Sequence, residues 1–240
     1  MARVLVTRPM PAAARSAARI EALGHRVHVA PLLFFRPLRL AQGALPAPGD
    51  VGAVAVTSAR SLEAMAGAGR LAPYLHLPLF AVGAATALAA RAAGFETVAE
   101  AGGTLSDLVR LIDGACPRAP ILYPAGRERS GDLAGELGRK GFECRLVETY
   151  TMERLDAIPD AERSALAADD DGHPVLAPVY SRRSARALAS ALRCWRDRPD
   201  FRFLAISGQA GEPLEDLGTV VVAERCDEDA LLDLLPVGEL

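Results

Sequence analysis

The sequence predicts an α/β protein in which parallel sheets are covered by helices. Short runs rich in Val, Ile and Leu alternate with longer segments rich in Ala, Leu and Arg, as strands and helices do around a parallel sheet. There are ten such runs, and they divide evenly into two sets of five. The predicted strands cover residues 4–7, 27–30, 53–57, 79–82, 97–99, 121–124, 144–148, 176–180, 203–206 and 219–223.

An internal repeat supports the division into two sets of strands. Residues 4–27 align with residues 121–144 at a constant offset of 117. Residues 56–61 align with 179–184 at an offset of 123, and residues 94–100 align with 218–224 at an offset of 124. Two structurally similar units are therefore expected, and the order of their parts differs along the chain.

Two segments of different composition lie between the repeats. Residues 31–49 and 150–174 are rich in Pro, Gly, Ala and acidic residues, which is typical of connections rather than of sheet or helix. We predict a discontinuous α/β domain of residues 1–36 and 174–240 and an inserted α/β domain of residues 37–150. The connectors, within 31–49 and 150–174, would lie side by side as a hinge. The strand and helix pattern alone also permits two consecutive domains that divide near Asp113.

Charge and hydropathy exclude several classes of protein. The net charge of −3 and the isoelectric point near 5.9 argue against general nucleic-acid binding. Charged residues and glycines interrupt every apolar run before the roughly 18 residues needed to cross a bilayer. The first residues enter a strand without a secretory signal, so we expect a cytoplasmic protein with no membrane partner.

Cysteine and histidine spacing gives no sign of a metal site or a disulfide framework. No C-x-x-C pair occurs, and the histidines lack ligand spacing, so we expect buried or incidental thiols and solvated imidazoles. These residues are Cys116, Cys144, Cys194, Cys226, His25, His28, His76 and His173.

Small and polar residues follow several predicted strands, where strand ends and the next helix N-termini form the ligand crevice of a parallel sheet. Hydroxyls and helix N-termini can bind a carboxylate, and glycine lets a ligand approach the backbone. Helix capping or a solvated charged turn explains the same residues equally well. The candidate substrate-binding residues are Thr7, Arg8, Thr57, Ser58, Gly83, Thr86, Gly126, Arg127, Ser181, Ser207 and Gly208.

Two further motifs predict helix starts. Pro9 suits the first turn of a helix, with the preceding residues as its cap. Thr104 followed by Asp107 resembles a capping box, to which we assign a structural role only.

Tyr150 is the candidate catalytic residue. It ends a predicted strand where the chain would leave the inserted domain. A reference pKa near 10 keeps a phenol protonated at neutral pH, which suits general-acid assistance better than base catalysis. The alternative is an aromatic residue that packs the hinge.

A series of short motifs, in this order, resembles the uroporphyrinogen-III synthase family over essentially the whole chain. Each is a weak signature alone, but together with the permuted repeat they are fairly specific. They are V-L-V-T-R-P at the start, T-S-A-R-S at 57–61, A-V-G-A-A-T at 81–86, L-Y-P-A-G-R at 122–127, E-T-Y at 148–150, Y-S-R-R-S at 180–184 and A-E-R-C-D-E-D-A-L-L at 223–232.

This resemblance implies two flavodoxin-like domains with parallel five-stranded sheets, joined by a two-stranded linker. It also implies that hydroxymethylbilane, a linear tetrapyrrole, binds between the domains and that backbone N–H groups and hydroxyls hold its carboxylates. The family's tyrosine near the second linker matches Tyr150, and its strand-end hydroxyls match five of the candidates. This chain departs from the family at Ala210, where a threonine is common.

The activity implied by the resemblance is ring closure with inversion of the terminal pyrrole and loss of water, without a metal or organic cofactor. A monomer is expected, in transient contact with the enzyme that makes hydroxymethylbilane. Three alternatives remain: a two-domain small-molecule sensor, a nucleotide-dependent enzyme and a catalytically degenerate relative of the synthase. The full G-x-G-x-x-G motif of dinucleotide-binding enzymes is absent from the sequence.

Overall fold

The structure is a computed structural model that describes residues 1–115, 117, 119–169 and 172–236. The strands are β1 (Arg3–Val6), β2 (Arg26–Val29), β3 (Leu33–Pro37), β4 (Ala53–Val56), β5 (Leu79–Ala81), β6 (Val98–Glu100), β7 (Ile121–Gly126), β8 (Cys144–Arg154), β9 (Val175–Val179), β10 (Phe201–Ala205) and β11 (Thr219–Val222). The α-helices are α1 (Ala12–Ala22), α2 (Ala59–Gly67), α3 (Ala84–Ala92), α4 (Leu105–Ala115), α5 (Leu133–Arg139), α6 (Asp160–Ala168), α7 (Arg182–Arg193), α8 (Gly208–Gly211) and α9 (Glu228–Leu232).

The chain folds into two compact units. Unit 1 comprises Met1–Phe34 and Glu153–Leu240, and unit 2 comprises Phe35–Met152. The predicted mixed α/β class with parallel sheets is confirmed, and all ten predicted strands are present within two residues of their expected starts.

Unit 1 contains a five-stranded sheet in the order β11-β10-β9-β1-β2. Its neighbouring strands run parallel, with Val4 opposite Leu176 at the centre. The residues of β1 and β9 are buried throughout, which explains their continuous apolar sequences. Apolar residues of α1 and α9, including Ile20 and Leu231, pack into the core on one face.

The second sheet has six strands in the order β3-β8-β7-β4-β5-β6, and it lies in unit 2 except for the first residues of β3 and the last residues of β8. Alternate residues of β4 enter two different cores. Val54 and Val56 pack with residues of α2 and α3, whereas Ala53 and Ala55 pack with residues of α4 and α5. The sheet is therefore covered by helices on both faces.

The prediction of five strands for each sheet is wrong for unit 2, because β3 adds an edge strand. Leu38 N donates to Thr149 O at 2.8 Å, and Leu155 N donates to Leu32 O at 3.0 Å. Residue numbers rise along β3 as they fall along β8, so these two strands run antiparallel.

The prediction that residues 31–49 and 150–174 contain neither sheet nor helix is also wrong. The first segment contains β3, and the second contains the end of β8 and all of α6. Strand β8 continues from Val147 to Met152 because the Thr and Tyr residues between them favour extended structure. Helix α6 forms despite its polar composition because the fully buried Leu166 stabilises it.

Two predictions about cysteine and histidine are refined. Cys144, Cys194 and Cys226 are free thiols, and Cys116 lies outside the described residues. His25 is buried rather than solvated, and its Nδ1 accepts a hydrogen bond from Ala2 N at 3.2 Å. Among the described residues, no group of three or more His, Cys, Asp or Glu side chains could hold a metal ion. None of the described helices is long and apolar enough to cross a membrane.

Candidate functional site

In each sheet, the connections that follow one pair of neighbouring strands lead towards opposite edges of the sheet. We call this place the switch point. In unit 1 these strands are β1, which leads to β2, and β9, which leads to β10. In unit 2 they are β4, which leads to β5, and β7, which leads to β8. Ligands of open α/β sheets bind at the carboxyl ends of the strands at such switch points.

At the switch point of unit 1, Arg8 lies in a network of polar side chains. Its Nη1 donates to Ser16 Oγ at 2.9 Å and to Glu228 Oε1 at 2.9 Å. Ser16 also donates to Glu228 Oε1, and Arg19 Nη1 lies 3.2 Å from Glu228 Oε2. The guanidinium carbon of Arg8 lies 3.8 Å from the ring centroid of Tyr180. We call these five residues the Arg8 cluster.

In the Arg8 cluster, burial and the neighbouring charges have opposite effects on the pKa of Glu228. Burial alone would raise the pKa of Glu228, but the hydrogen bond from Ser16, the nearby hydroxyl of Tyr180 and the charges of Arg8 and Arg19 outweigh it and lower the pKa. Burial raises the pKa of Tyr180, whose buried hydroxyl has no hydrogen-bond partner among the described residues. The cluster therefore contains an ionised carboxylate beside a neutral phenol at neutral pH.

Thr7 and Pro9 do not form a helix start. Helix α1 begins at Ala12, with Pro11 as its N-cap residue, so Pro9 is not in the first turn as predicted. Thr7 is buried, and its carbonyl accepts from Leu32 N at 3.1 Å. Five residues thus separate the end of β1 from the start of α1, and within this segment Arg8 lies over the ring of Tyr180.

Ser181 and Ser207 are helix caps at the same edge of unit 1. Ser181 Oγ accepts from Ser184 N at 3.2 Å at the start of α7, and Ser207 Oγ accepts from Ala210 N at 3.3 Å at the start of α8. Gly208 is the first residue of α8, and a Cβ there would meet nothing within 4 Å. Backbone crowding therefore does not explain a glycine at this position.

In unit 2, Thr57 and Ser58 follow β4 at the switch point. Thr57 Oγ1 lies 3.1 Å from Tyr123 Oη on β7, so a hydrogen bond connects the two diverging strands. Ser58 is the N-cap of α2 and accepts from Arg60 N at 3.3 Å. Burial raises the pKa of Tyr123, so its phenol is neutral at physiological pH.

Gly83 is the N-cap residue of α3 and lies against a second glycine. A Cβ at position 83 would be 3.3 Å from the Cα of Gly103, whose positive φ of 102° suits glycine. Thr86, in the first turn of α3, is buried. Nearby, the capping box is confirmed: Asp107 N donates to Thr104 Oγ1 at 3.1 Å, and Thr104 N donates to Asp107 Oδ2 at 3.2 Å.

Gly126 and Tyr150 are in direct contact at the carboxyl end of β7. A Cβ at Gly126 would lie 2.7 Å from Tyr150 Cζ and 2.9 Å from its hydroxyl oxygen. The pairing of β7 and β8 shifts register between Ala125 and Gly126, and Arg127 N donates to Tyr150 O at 2.8 Å. Phe35 packs on the same tyrosine, with ring centroids 5.4 Å apart. The ring of Tyr150 is thereby held beside the switch point.

Arg127 is part of a charged turn rather than an open cation. Arg127 Nε donates to Glu148 Oε2 at 3.1 Å, and Arg129 Nη1 lies 3.4 Å from Glu148 Oε1. Hydrogen bonds from Arg127 and then Arg129 lower the pKa of Glu148. Arg127 remains 57 % exposed, so the ion pair leaves much of it accessible to solvent.

The candidates that follow the diverging strands therefore lie at the switch points, whereas Gly83 and Thr86 follow β5, and Ser207 and Gly208 follow β10, one strand further along. The residues at the switch points have partners that no local sequence pattern indicates. These partners are Ser16, Tyr180 and Glu228 in unit 1, and Tyr123 and Glu148 in unit 2. One signal was available, since the repeat aligns Tyr180 with Thr57 at the offset of 123. No local pattern connects Arg8 with Glu228, which follows it by 220 residues.

Comparisons with known proteins give a family for the chain and solved structures of similar fold. The family model described as uroporphyrinogen-III synthase HemD matches residues 14–233. The uroporphyrinogen-III synthetase of Helicobacter pylori 26695 is similar in structure, with a TM-score of 0.69 and 17% identity over 98% of both chains. A mutant uroporphyrinogen III synthase of Thermus thermophilus has a TM-score of 0.56 and 18% identity, and the match covers 97% of this chain and 96% of that one. No curated protein matches the sequence significantly.

The two kinds of comparison carry different conclusions. At identities of 17% and 18%, the solved structures support the fold alone. The family model, in contrast, covers most of the chain, including every candidate residue except Thr7 and Arg8. This chain therefore belongs to the uroporphyrinogen-III synthase family and is an enzyme of tetrapyrrole biosynthesis.

Proposed function

We propose that the chain closes hydroxymethylbilane into uroporphyrinogen III, with inversion of the terminal pyrrole ring and loss of water, and that Tyr150 acts in this reaction. The observation that carries the proposal is the contact of Tyr150 with Gly126 at the switch point of unit 2. This contact supports the proposal because open α/β sheets bind ligands at the carboxyl ends of their strands, and Gly126 ends β7.

The finer architecture belongs to the same proposal. Taken in the order of its own strands, the sheet of unit 1 has the order 2-1-3-4-5, which is that of flavodoxin-like domains. The parallel strands of unit 2 have the same order after circular permutation. We propose that both units are flavodoxin-like domains and that β3 and β8 form the two-stranded linker, since the chain passes between the units within each of these strands.

Substrate carboxylates are proposed to bind at the strand ends of both units. Helix N-termini offer unpaired N–H groups, and the caps Ser58 and Ser181 lie at the starts of α2 and α7. A carboxylate there would accept backbone and hydroxyl hydrogen bonds without a large basic patch. The proposed binding residues are Thr7, Arg8, Thr57, Ser58, Gly83, Thr86, Gly126, Arg127, Ser181, Ser207 and Gly208.

The proposed reaction begins at the hydroxymethyl group. Tyr150 donates its proton to the hydroxyl and becomes a phenolate, the carbon–oxygen bond breaks, and water departs, so that the substrate becomes a cationic azafulvene. The substituted carbon of the terminal pyrrole attacks the exposed methylene carbon and gives a spiro intermediate. The older bond between the spiro carbon and its bridging methylene carbon then breaks, and the free α-carbon of the same ring attacks that methylene carbon. The proton displaced from this α-carbon returns to the phenolate of Tyr150 as the pyrrole regains its aromaticity. Every step uses only the substrate and one transferable proton.

Positioning is the larger part of the proposed catalysis. Hydroxymethylbilane also closes without an enzyme, but gives the uninverted isomer I, so the protein must select the geometry of attack. Holding reacting atoms at near-attack distance contributes on the order of 7–11 kcal/mol in the best cases. We further propose that the chain acts as a cytoplasmic monomer and receives its unstable substrate by transient contact with the enzyme that produces it.

A coupled assay tests the function. The purified chain is supplied with freshly made hydroxymethylbilane, the products are oxidised, and the two uroporphyrin isomers are separated. We expect isomer III as the main product. Isomer I alone, at the rate seen in buffer, would instead favour a degenerate relative or a sensor that keeps the fold.

A further inference from the structure

We propose that Tyr180, Ser16 and Glu228 are positioning residues that hold Arg8 as the receptor for one carboxylate of the linear tetrapyrrole. The assignment rests on the proposed function, because that function supplies a substrate with several carboxylates. It goes further by naming the receptor and the residues that orient it, of which Tyr180, Ser16 and Glu228 are not themselves predicted to touch substrate.

The hydrogen bonds of Arg8 leave one edge of its guanidinium available. Both protons of Nη1 have acceptors, Ser16 Oγ and Glu228 Oε1, each at 2.9 Å. Within unit 1, no described residue accepts from Nε or Nη2 of Arg8. These two nitrogens form the side of the guanidinium that binds a carboxylate through two parallel hydrogen bonds. Arg8 is also 23% exposed, so a ligand can reach it.

The orientation of that edge is fixed from two directions. The guanidinium carbon lies over the ring of Tyr180, 3.8 Å from its centroid, which restricts the position of the group. Ser16 and Glu228 bind at Nη1 and set its rotation. Glu228 is itself held by Ser16 Oγ at 2.5 Å and by Arg19 Nη1 at 3.2 Å. The receptor is therefore preorganised before a ligand arrives.

Directed donors rather than net charge would select the ligand. Arg19 Nη2 also lies 2.5 Å from Asp229, so the two arginines face two carboxylates. The formal charges of this group sum to zero. A monovalent inorganic anion would gain little from such a group, whereas a planar carboxylate matches the paired donors of Nε and Nη2.

The place of the receptor in the fold supports a ligand site. Arg8 follows β1 and Tyr180 follows β9, the two strands that diverge at the switch point of unit 1. This is where open α/β sheets place ligands. An arginine that served only to pair with Glu228 would need neither this position nor a stacked tyrosine.

Substitution of Arg8 tests the receptor. For Arg8→Met we expect the KM for hydroxymethylbilane to rise by roughly ten- to a hundredfold, the range for one charge-assisted hydrogen bond. The kcat for isomer III should change much less than the KM, because the carboxylate is bound in the ground state and the transition state alike. The matched control is Arg193→Met, which removes a guanidinium that pairs with Asp216 at 2.8 Å at the far end of α7. Its KM should equal that of the wild type.

A second pair of variants tests the positioning role. Tyr180→Leu removes the aromatic face, and we expect the KM to rise several-fold. Tyr180→Phe keeps the face and should recover most of that loss. If both variants lose the same amount, the stacking role is wrong. If folded Arg8→Met keeps the wild-type KM, the receptor itself is wrong.

Measuring the affinity for uroporphyrin III distinguishes an error in this inference from an error in the proposed function. If the wild type makes no isomer III, the proposed function fails, yet the affinity for this octacarboxylate can still be compared between variants. A tenfold weaker affinity in Arg8→Met, with none in Arg193→Met, supports the receptor. Equal affinities in all three proteins overturn it, whatever the enzyme assay gives.

Discussion

The ring of Tyr150 lies on the Cα of Gly126, so closely that a Cβ at position 126 would stand 2.7 Å from Cζ. The contact depends on the register shift between Ala125 and Gly126, which brings Gly126 opposite Tyr150 rather than Thr149. Glycine at this position therefore decides where the phenol of Tyr150 lies. The family motifs that contain Gly126 and Tyr150 are separate in the sequence, but in the fold these two residues are in contact.

Gly126→Ala tests this contact. The added methyl group forces the ring of Tyr150 to move. The ring has little room to do so, because Phe35 packs on it and Tyr150 is only 8% exposed. We expect the free energy of unfolding to fall by about 1–3 kcal/mol, as for overpacked cores. Because small displacements of catalytic groups can cost up to about a hundredfold in rate, kcat for isomer III should fall at least tenfold.

Gly138→Ala is the matched control for that substitution. Gly138 lies within α5, and a Cβ there would meet nothing within 4 Å. Replacing a helical glycine in open space should raise stability by roughly 0.5–1 kcal/mol and leave the isomer ratio unchanged. Wild-type kcat in Gly126→Ala, with an intact fold, would show that the position of Tyr150 is not critical.

Tyr150→Phe tests the hydroxyl apart from the ring. The variant keeps the packing against Gly126 and Phe35 but cannot donate a proton. Since positioned acids contribute about 10²- to 10⁴-fold, we expect kcat to fall at least tenfold, with little change in KM and more isomer I. The control is Tyr74→Phe, which removes another buried phenol of unit 2, one that donates to Pro46 O at 2.5 Å. An unchanged rate and isomer ratio in Tyr150→Phe would remove Tyr150 from the mechanism.

The sequence was sufficient for the parts of the fold that depend on local pattern. Strands buried on both faces are continuous apolar runs, so β1, β4, β7 and β9 are visible directly. Strand β3 is not, because its sequence Leu33-Phe34-Phe35-Arg36-Pro37 lies in a proline-rich segment and it pairs along one side only. Its structure depends on pairing with a strand more than 110 residues later, which no local pattern reports.

The same limit applies to the candidate site. Thr7 and Arg8 were identified from their place after β1, but the partners of Arg8 are set by packing between α1, α9 and the sheet. The position of Glu228 at the start of α9 follows from capping by Asp227, a local feature. Its contact with Arg8 follows from the tertiary fold, so the sequence could suggest the cation but not the carboxylate that orients it.

Substitution of Ser181 separates capping from substrate binding. Ser181 Oγ accepts from Ser184 N and donates to Ser184 Oγ at the start of α7. Ser181→Ala should lower the free energy of unfolding by about 1 kcal/mol, whereas Ser181→Gly should lower it by only a few tenths. If the hydroxyl also binds a carboxylate of the substrate, both variants should show the same rise in KM.

Asp132→Ala provides the comparison for a cap that has no proposed role in binding. Asp132 caps α5 by accepting from Gly135 N at 3.0 Å. We expect a similar loss of stability with wild-type KM. A rise in KM in Ser181→Ala but not in Ser181→Gly would mean that the hydroxyl acts through the helix and does not touch the substrate.

His28 should make the protein less stable in mild acid. Burial lowers its pKa in the folded protein, and the charges of Arg26 and Arg3 act in the same direction, although Asp169, 3.3 Å from Nε2, opposes them. The unfolded chain therefore takes up a proton near pH 6.5 while the folded protein still resists it. Stability is then complete above this pH and falls as the pH decreases below it.

The measurement is chemical unfolding between about pH 5 and 8, a range that brackets the ordinary histidine pKa. His28→Gln keeps a polar side chain beside Asp169 but cannot titrate, so its stability should fall less steeply below neutral pH than that of the wild type. His25 also has a pKa lowered by burial, so some slope should remain. Equal slopes for His28→Gln and the wild type would show that Asp169 offsets the cost of burying the imidazolium.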